Sequence, residues 1–209
     1  LIVTPMSMLW VMTYVRELFP KLKYETFKMP FLYKIEAFAI KYKKYMALAF
    51  LPLTVILGIY TGILLSAFNA RPLWNNAILG PLFFVSGLST AAATVILFAK
   101  SAHERHWFSK IDILLIVIEI GLIIHLIMGY YAGNEMQIEA VKILVGGDFT
   151  TMFFGFLVVL GLLVPLILEI FELAGFKVPV IIPAILILIG GLVFRVLMVE
   201  AGQITRVLY

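Results

Sequence analysis

Long apolar stretches alternate with short polar ones along the chain, and five of the apolar stretches are long enough to cross a membrane as helices. A hydrocarbon core of about 30 Å requires about 20 apolar residues in a helix. The qualifying stretches are residues 45–69, 77–99, 111–131, 149–171 and 178–198. A shorter helix is predicted over residues 5–19, since Pro5 suits a first helical turn and Pro20 ends the segment. The pattern therefore predicts an all-α fold, a polytopic transmembrane bundle of about six helices that forms a single domain over residues 1–209.

The composition excludes a soluble enzyme. Hydrophobic residues make up 63% of the 209 residues and charged residues 13%, and the mean hydropathy is +1.09. The net charge of +4 is too small to indicate a nucleic-acid partner. Because the first residue is Leu1 and no leader pattern follows it, we expect the chain to be a piece of a longer protein.

The absence of cysteine restricts the redox chemistry of the chain. With 0 Cys the chain offers no thiolate for zinc or an iron–sulfur cluster. A haem held between two helices needs two intramembrane His, and of the 3 His only His125 lies in a predicted span. We therefore expect no haem, metal or cluster on this chain, and any redox centre belongs to a partner.

Basic residues are unevenly distributed between the two ends of the predicted spans. Residues 20–44 contain seven Lys against two Glu. The connections on that side hold eleven Lys or Arg, and the connections on the other side with the C-terminal tail hold three. The positive-inside rule then predicts a multi-pass protein of the cytoplasmic (inner) membrane, with residues 20–44 cytoplasmic and the C-terminus outside. The lysines would also suit a patch that binds lipid headgroups.

Polar side chains gather at the outer level of the predicted bundle. This set consists of Tyr60, His125 and Arg195 within spans, Trp74 and Asn75 in the turn above them, and Gln203 just past the last span. Donors beside aromatic rings could bind a planar ligand. The alternatives are an interfacial anchor for Trp74 and a polar tie between helices for His125.

A second polar set lies deeper and includes carboxyl groups. It consists of Asp112, Glu119 and Glu169, with Ser86 and Thr90 on the second long span. A carboxyl in the middle of a membrane must be protonated, paired or hydrated, so this set is a candidate proton path. The alternative for the hydroxyls is a bond to the carbonyl one turn earlier in their own helix.

Three blocks of the sequence, in order, resemble the polysulfide-reductase membrane-subunit family, also called NrfD-like. They are YTGILLSAFNARPLWNNAILGPLFFVSGLST (Tyr60–Thr90), FFGFLVVLGLLVPLIL (Phe153–Leu168) and GGLVFRVLMVEAGQ (Gly190–Gln203). The opening TPMS at Thr4–Ser7 is similar to the start of the helix that precedes the Tyr-Thr-Gly helix of that family. Family members have at least two further helices before this point, so either the chain is part of a longer one or a separate polypeptide supplies them.

The resemblance implies a quinone-reactive membrane subunit of a respiratory oxidoreductase that holds no redox cofactor of its own. Its substrate would be menaquinone or ubiquinone. Its partners would be a four-cluster ferredoxin-like iron–sulfur subunit and a catalytic subunit of molybdopterin, hydrogenase or multihaem type. The family's Tyr-Thr-Gly tyrosine, a proposed quinone ligand, corresponds to Tyr60. Proton translocation through the deeper carboxyls would make the reaction electrogenic.

Two other functions fit parts of the pattern. A secondary transporter or proton-channel fragment would use the same carboxyls, and it predicts inverted repeats and broken helices. A purely structural anchor would leave Glu119 and Arg195 without a function. An adjacent iron–sulfur protein would favour the quinone subunit over both.

Overall fold

A computed structural model of the chain describes residues 3–14 and 30–205, and these residues are helical apart from short connections. The helices are α1 (Val3–Met12), α2 (Pro30–Ser66), α3 (Leu79–Phe98), α4 (Ala102–Tyr131), α5 (Glu135–Val145), a π-helix (Thr151–Leu163), α6 (Val164–Leu173) and α7 (Ile181–Ile204). The described ranges contain no strand. Five stretches are long and apolar enough to cross a membrane: Lys34–Ser66, Leu79–Phe98, Ala102–Tyr131, Thr151–Leu173 and Ile181–Ile204. The predicted all-α membrane bundle is thus confirmed.

Helices α2 and α4 begin well before the apolar stretches that revealed them. The apolar patterns start at residues 45 and 111, whereas the helices start at Pro30 and Ala102. Apolar composition marks the part of a helix that suits lipid, while Lys, Glu and Ala continue the same helix into water. Four residues that contributed to the predicted topology lie outside the described residues, namely Lys21, Lys23, Glu25 and Lys28. Tyr209 also lies outside them.

The connection over residues 132–148 contains helix α5, which the apolar pattern did not predict. The Asn134 side chain accepts a hydrogen bond from the Gln137 backbone N–H at 2.9 Å, and Gln137 Oε1 accepts one from the Asn134 N–H. This reciprocal pair is a capping box that satisfies the free N–H groups of a helix start. A helix of 11 residues is too short to cross a bilayer, so a search for spans overlooks it.

The chain divides into two compact units, Leu1–Leu57 and Gly58–Tyr209. In the first unit, the Trp10 ring of α1 meets the Phe50 ring of α2 edge-on, with centroids 5.7 Å apart. The Lys43 ammonium lies 3.8 Å from the centre of the Tyr14 ring. The predicted helix over residues 5–19 is observed as far as Met12, and its residues 15–19 lie outside the described part.

The second unit is built around α3, which packs on both α4 and α7, while α7 also packs on the π-helix. The Phe83 and Phe194 rings join α3 to α7 with centroids 4.8 Å apart. Apolar side chains such as Leu82, Ile116 and Leu197 fill the interior and are 0% exposed. The buried carboxyls described below lie in this unit.

Glycines let the helices of the second unit approach closely at two places. A Cβ on Gly62 would collide with the backbone of Leu79 and Gly80, and one on Gly58 would lie 2.7 Å from the Phe84 ring. The interpretation of Gly58 and Gly62 as a small-xxx-small packing pair is therefore confirmed. A Cβ on Gly161 of the π-helix would lie 2.6 Å from the Cα of Gly190 in α7.

Residues 149–171, predicted as one helix, form a π-helix that passes into α6. At the change, the Val164 N–H donates to the Val159 carbonyl, one residue further back than in an α-helix. Pro165 follows, where a missing N–H is tolerated in the first turn of α6. Pro52 lies within α2 without ending it, and Pro183 lies in the first turn of α7. Within the described spans, the broken helices expected of a transporter fragment are not seen.

Candidate functional site

Six polar side chains are buried in the centre of the second unit. They are Ser86 and Ser89 of α3, Ser109, Asp112 and Glu119 of α4, and Glu169 of α6, and none is more than 2% exposed. Ionisable side chains at such depth are rare and are usually functional. The predicted carboxyls Asp112, Glu119 and Glu169 therefore share one interior.

Asp112 occupies the middle of this set. The Ser89 hydroxyl donates a hydrogen bond to Asp112 Oδ1 at 2.6 Å. The Glu169 side chain lies beside the Asp112 carboxyl and interacts with it. Among the described residues, neither Asp112 Oδ2 nor either oxygen of Glu169 has a hydrogen-bond partner. Three buried oxygen atoms are thus free to bind protons or water.

The positions of these groups follow from helical spacing. Ser109, Asp112 and Glu119 lie three and seven residues apart, which places them on one face of α4. Ser86 and Ser89 likewise lie on one face of α3, and the two helices pack along each other in opposite directions. Successive hydroxyls of α3 therefore meet successive carboxyls of α4.

Glu119 joins this series to Arg195 of α7. The Glu119 carboxyl interacts with the Ser86 side chain and with the charges of Arg195 and Asp112. Arg195 Nη1 donates to the Gly191 carbonyl at 2.6 Å. A Cβ on Gly87 would lie 3.7 Å from Arg195 Nη2, so the side chain lies against small residues on α3 and α7. The guanidinium thus places a permanent positive charge near Glu119.

At the other end of the series, the last turn of α6 meets the first turns of α4. We call this the basic end of the unit, because its connections carry Lys100 and Lys177, and Lys110 lies near the start of α4. Glu172 interacts with the charges of Arg105 and His106 and, one turn further in, with Glu169.

Sequence reasoning missed Ser89, Ser109 and Glu172. Their spacing of three residues from Ser86, Asp112 and Glu169 could have revealed them, since it repeats the same helix face.

The hydroxyl of Thr90 bonds within its own helix. Thr90 Oγ1 donates to the Gly87 carbonyl at 2.9 Å, and Thr94 Oγ1 donates to the Thr90 carbonyl at 2.8 Å. These are the local bonds that threonine commonly makes in membrane helices. Ser86 is placed differently, since its side chain interacts with Glu119.

The opposite end of the unit is closed by the turn that follows α2. The Trp74 indole N–H donates to the Met198 carbonyl at 2.8 Å, and a Cβ on Gly202 would collide with the indole ring. Arg71 Nη1 donates to the carbonyls of Gln203, at 2.7 Å, and Thr205. The Asn75 carbonyl accepts from Gln137 Nε2 at 3.2 Å. Trp74, Asn75 and Gln203 of the predicted quinone set therefore lie together, and their observed hydrogen bonds hold the turn.

Tyr60 and His125 differ from Arg195 in their exposure. Tyr60 is 54% exposed and His125 is also exposed on the surface of the unit, whereas Arg195 lies half-buried between α3 and α7. No hydrogen bond joins any two of these three side chains in the described part of the protein. A ligand that touches Tyr60 would therefore bind on the surface of the bundle.

The geometry thus defines a class of protein, a multi-pass membrane protein with a series of carboxyls through its interior. Such groups can accept and release protons in turn. The described residues include no group of three or more His, Asp or Glu side chains placed to hold a metal ion.

Comparison with known proteins identifies the family. Residues 1–207 match the family described as "Polysulphide reductase, NrfD", and the chain belongs to this family. The resemblance noted in the sequence is therefore confirmed.

Curated relatives agree with this assignment. The chain is 34% identical over 165 residues to protein NrfD of Escherichia coli, covering 74% of the chain and 52% of the relative. It is 32% identical over 163 residues to an NrfD homolog of Haemophilus influenzae, covering 73% and 51%. It is 31% identical over 162 residues to one of the chains of polysulfide reductase from Wolinella succinogenes, covering 72% and 51%. The chain thus spans about half the length of these relatives, and no solved structure matches it.

Proposed function

We propose that the chain forms part of the quinone-reactive membrane subunit of a respiratory oxidoreductase, and that its buried carboxyls move protons. The observation that carries the proposal is the connected series Glu169, Asp112 and Glu119, buried within a member of the NrfD family. Desolvating such groups costs several kcal/mol each, so a structural function alone explains them poorly.

Tyr60 is the residue proposed to donate a hydrogen bond to the quinone. It belongs to the Tyr-Thr-Gly sequence and is 54% exposed, so its phenol is available to a ring that diffuses in the lipid. Two electrons and two protons convert a quinone to a quinol, and a phenol beside the carbonyl oxygen can stabilise the charge that develops there. Of the other proposed ligands, His125 is also exposed, while Trp74, Asn75 and Gln203 gather around the turn after α2.

Partner subunits would supply the electrons. The protein has 0 Cys, so it cannot ligate an iron–sulfur cluster through thiolates. The Wolinella succinogenes relative is named as one chain of polysulfide reductase, and that name makes it part of a larger enzyme. We propose a four-cluster ferredoxin-like iron–sulfur protein as the direct donor or acceptor, with a catalytic subunit of molybdopterin, hydrogenase or multihaem type behind it.

The quinone assignment is tested by Tyr60→Phe in the assembled complex, with electrons supplied to the catalytic subunit and a short-chain quinone as acceptor. The change removes one hydroxyl, and losing one hydrogen bond to a reacting oxygen should lower the rate by roughly ten- to hundredfold. Tyr131→Phe is the matched control, since Tyr131 is a 46% exposed tyrosine at the end of α4. Electron transfer to a soluble dye should not change in either variant. Wild-type quinone kinetics in Tyr60→Phe would remove this residue from the site.

The proton assignment is tested by Glu119→Gln in proteoliposomes that contain the complex. Glutamine keeps hydrogen-bonding groups at this position but cannot carry a proton, so we expect quinone-dependent membrane potential to be suppressed. Glu139→Gln, at an exposed position of α5, is the control for losing a carboxyl elsewhere. An unchanged potential per electron in Glu119→Gln would contradict a proton-carrying function for this carboxyl.

A further inference from the structure

The basic end of the unit contains a cluster of charged side chains that lies outside the path from Glu169 to Glu119. Glu172 is half-buried in the last turn of α6, and it interacts with the charges of Arg105 and His106 at the start of α4. The Glu172 Oε2 and Arg105 Nε atoms are shielded from solvent, yet neither has a hydrogen-bond partner among the described residues. The group therefore has unused hydrogen-bonding capacity at the boundary between water and the interior.

Glu172 is also in position to reach the buried series. It lies three residues after Glu169, on the same face of α6 and about 4.5 Å further along the helix axis. The two carboxyls interact electrostatically, and Glu169 is 0% exposed with both its oxygens unpartnered among the described residues. On α4, Asp112 lies seven residues beyond Arg105, or about 10 Å along the axis. Glu172 and Glu169 thus lie in succession between the charged surface and Asp112.

We propose that Glu172 is the group through which protons reach the buried carboxyls from the basic end. This inference rests on the proposed function, in which those carboxyls carry protons. The Glu172 carboxylate takes a proton from a hydronium ion at the basic end or from a protonated His106 imidazole and becomes a carboxylic acid. It then passes the proton to the Glu169 carboxylate, which returns Glu172 to its carboxylate form. Arg105 is a positioning residue, since its positive charge opposes the burial that disfavours the Glu172 carboxylate.

A structural ion pair between α4 and α6 is the alternative function for Glu172 and Arg105. The two functions predict different effects of replacing Glu172 by the neutral residue Gln, which has nearly the same shape. Glu172→Gln keeps the size and hydrogen-bonding groups of the side chain but removes its charge, so the loss of a structural ion pair would lower stability without slowing proton uptake in the complexes that assemble. A proton-accepting group would be lost completely.

The experiment measures quinone-dependent proton uptake at the basic end, with the whole complex in proteoliposomes and a short-chain quinone as acceptor. We expect Glu172→Gln to slow proton uptake by about a hundredfold, as for the loss of a positioned proton-transfer group. Glu104→Gln, which removes an exposed carboxyl from the same end, should have no effect. His106→Gln should slow uptake more than His103→Gln, because His106 but not His103 interacts with Glu172.

The comparison with Glu119→Gln separates the two proposals. If Glu119→Gln blocks proton transfer and Glu172→Gln does not, the inference about Glu172 is overturned and the proposed function stands. If neither variant changes proton transfer, the proposed proton-carrying function of the buried carboxyls is refuted, and the inference about Glu172 is refuted with it. Loss of transfer in both variants, with normal electron flow to a soluble dye, supports both.

If Glu172→Gln does not assemble, a labelling experiment tests whether position 172 is reached from water at the basic end, as the inference requires. The 209 residues contain 0 Cys, so an introduced cysteine would be the single thiol among them. A charged thiol reagent added at the basic end should label Glu172→Cys. It should not label Ile170→Cys, since Ile170 is 47% exposed on an outer face of α6 that lipid would cover. Labelling of Ile170→Cys alone, or of neither, would overturn the inference.

Discussion

The contact between Gly161 and Gly190 gives a prediction that can be worked out from the structure. A Cβ added to Gly161 would lie 2.6 Å from the Gly190 Cα, whereas ordinary van der Waals contacts lie at 3.4–4 Å. The clashing atoms belong to the backbone, so no side chain can turn aside. Gly161→Ala should therefore push the π-helix and α7 apart by about 1 Å, at a cost of about 1–3 kcal/mol.

Gly121→Ala is the matched control. Gly121 lies within α4, and nothing lies within 4 Å of a Cβ built on it. Replacing Gly by Ala in an open helical position stabilises by up to about 1 kcal/mol. The two alanine variants should therefore differ by about 1–4 kcal/mol, which is roughly 2–16 °C in melting temperature at about 2–4 °C per kcal/mol for a protein of this size. The assay is the fraction of folded complex that remains in detergent solution after heating.

The same displacement should affect proton transfer. Arg195 lies five residues after Gly190, about 7.5 Å along α7, and it interacts with Glu119. Gly161→Ala should therefore also weaken proton translocation, while Gly121→Ala should not. Equal melting temperatures for the two variants would refute the close backbone contact and the argument built on it.

Two further predictions concern the interior and the topology. Ser89→Ala should lower stability by about 1–3 kcal/mol, because it leaves Asp112 Oδ1 buried without its hydrogen-bond donor. Thermal denaturation measures this loss. Ser66→Ala is the control, since the Ser66 hydroxyl bonds only to its own helix. If the positive-inside rule holds, cysteines placed at the exposed Lys100 and at Gln137 should react with impermeant reagents from opposite sides of the membrane. Reaction of both from one side would be incompatible with that topology.

The sequence predicts the spans well because a membrane helix needs a long apolar stretch, and such stretches are visible without any alignment. It also places Asp112 and Glu119 on one face of α4, since seven residues make two helical turns. Helix α5 was missed for the converse reason, because its start depends on the local pair Asn134 and Gln137 and not on a long apolar run.

Proximity between different helices is harder to obtain from the sequence. The contact of Asp112 with Glu169 joins residues 57 positions apart, and no helical period relates them. The π-helix was likewise unpredicted, because its hydrogen bonds differ from those of an α-helix by one residue while its composition does not. Counting depth placed Tyr60 and Arg195 at one membrane level, but depth leaves open which side of its helix each side chain occupies.

The turn after α2 is held by side chains that recognise main chain. Trp74 donates to the Met198 carbonyl, and Tyr130 donates to the Leu73 carbonyl. Arg71 donates to the carbonyls of Gln203 and Thr205. Since every residue type presents the same carbonyl, a change of side chain at these acceptor positions would not by itself remove a bond, and burial is what restricts Leu73, Met198 and Thr205. Gly202 is the exception, since any side chain there would displace the indole. Exposed Gln203 contributes only its backbone carbonyl to the turn, so the structure of the turn leaves its side chain without a hydrogen bond among the described residues.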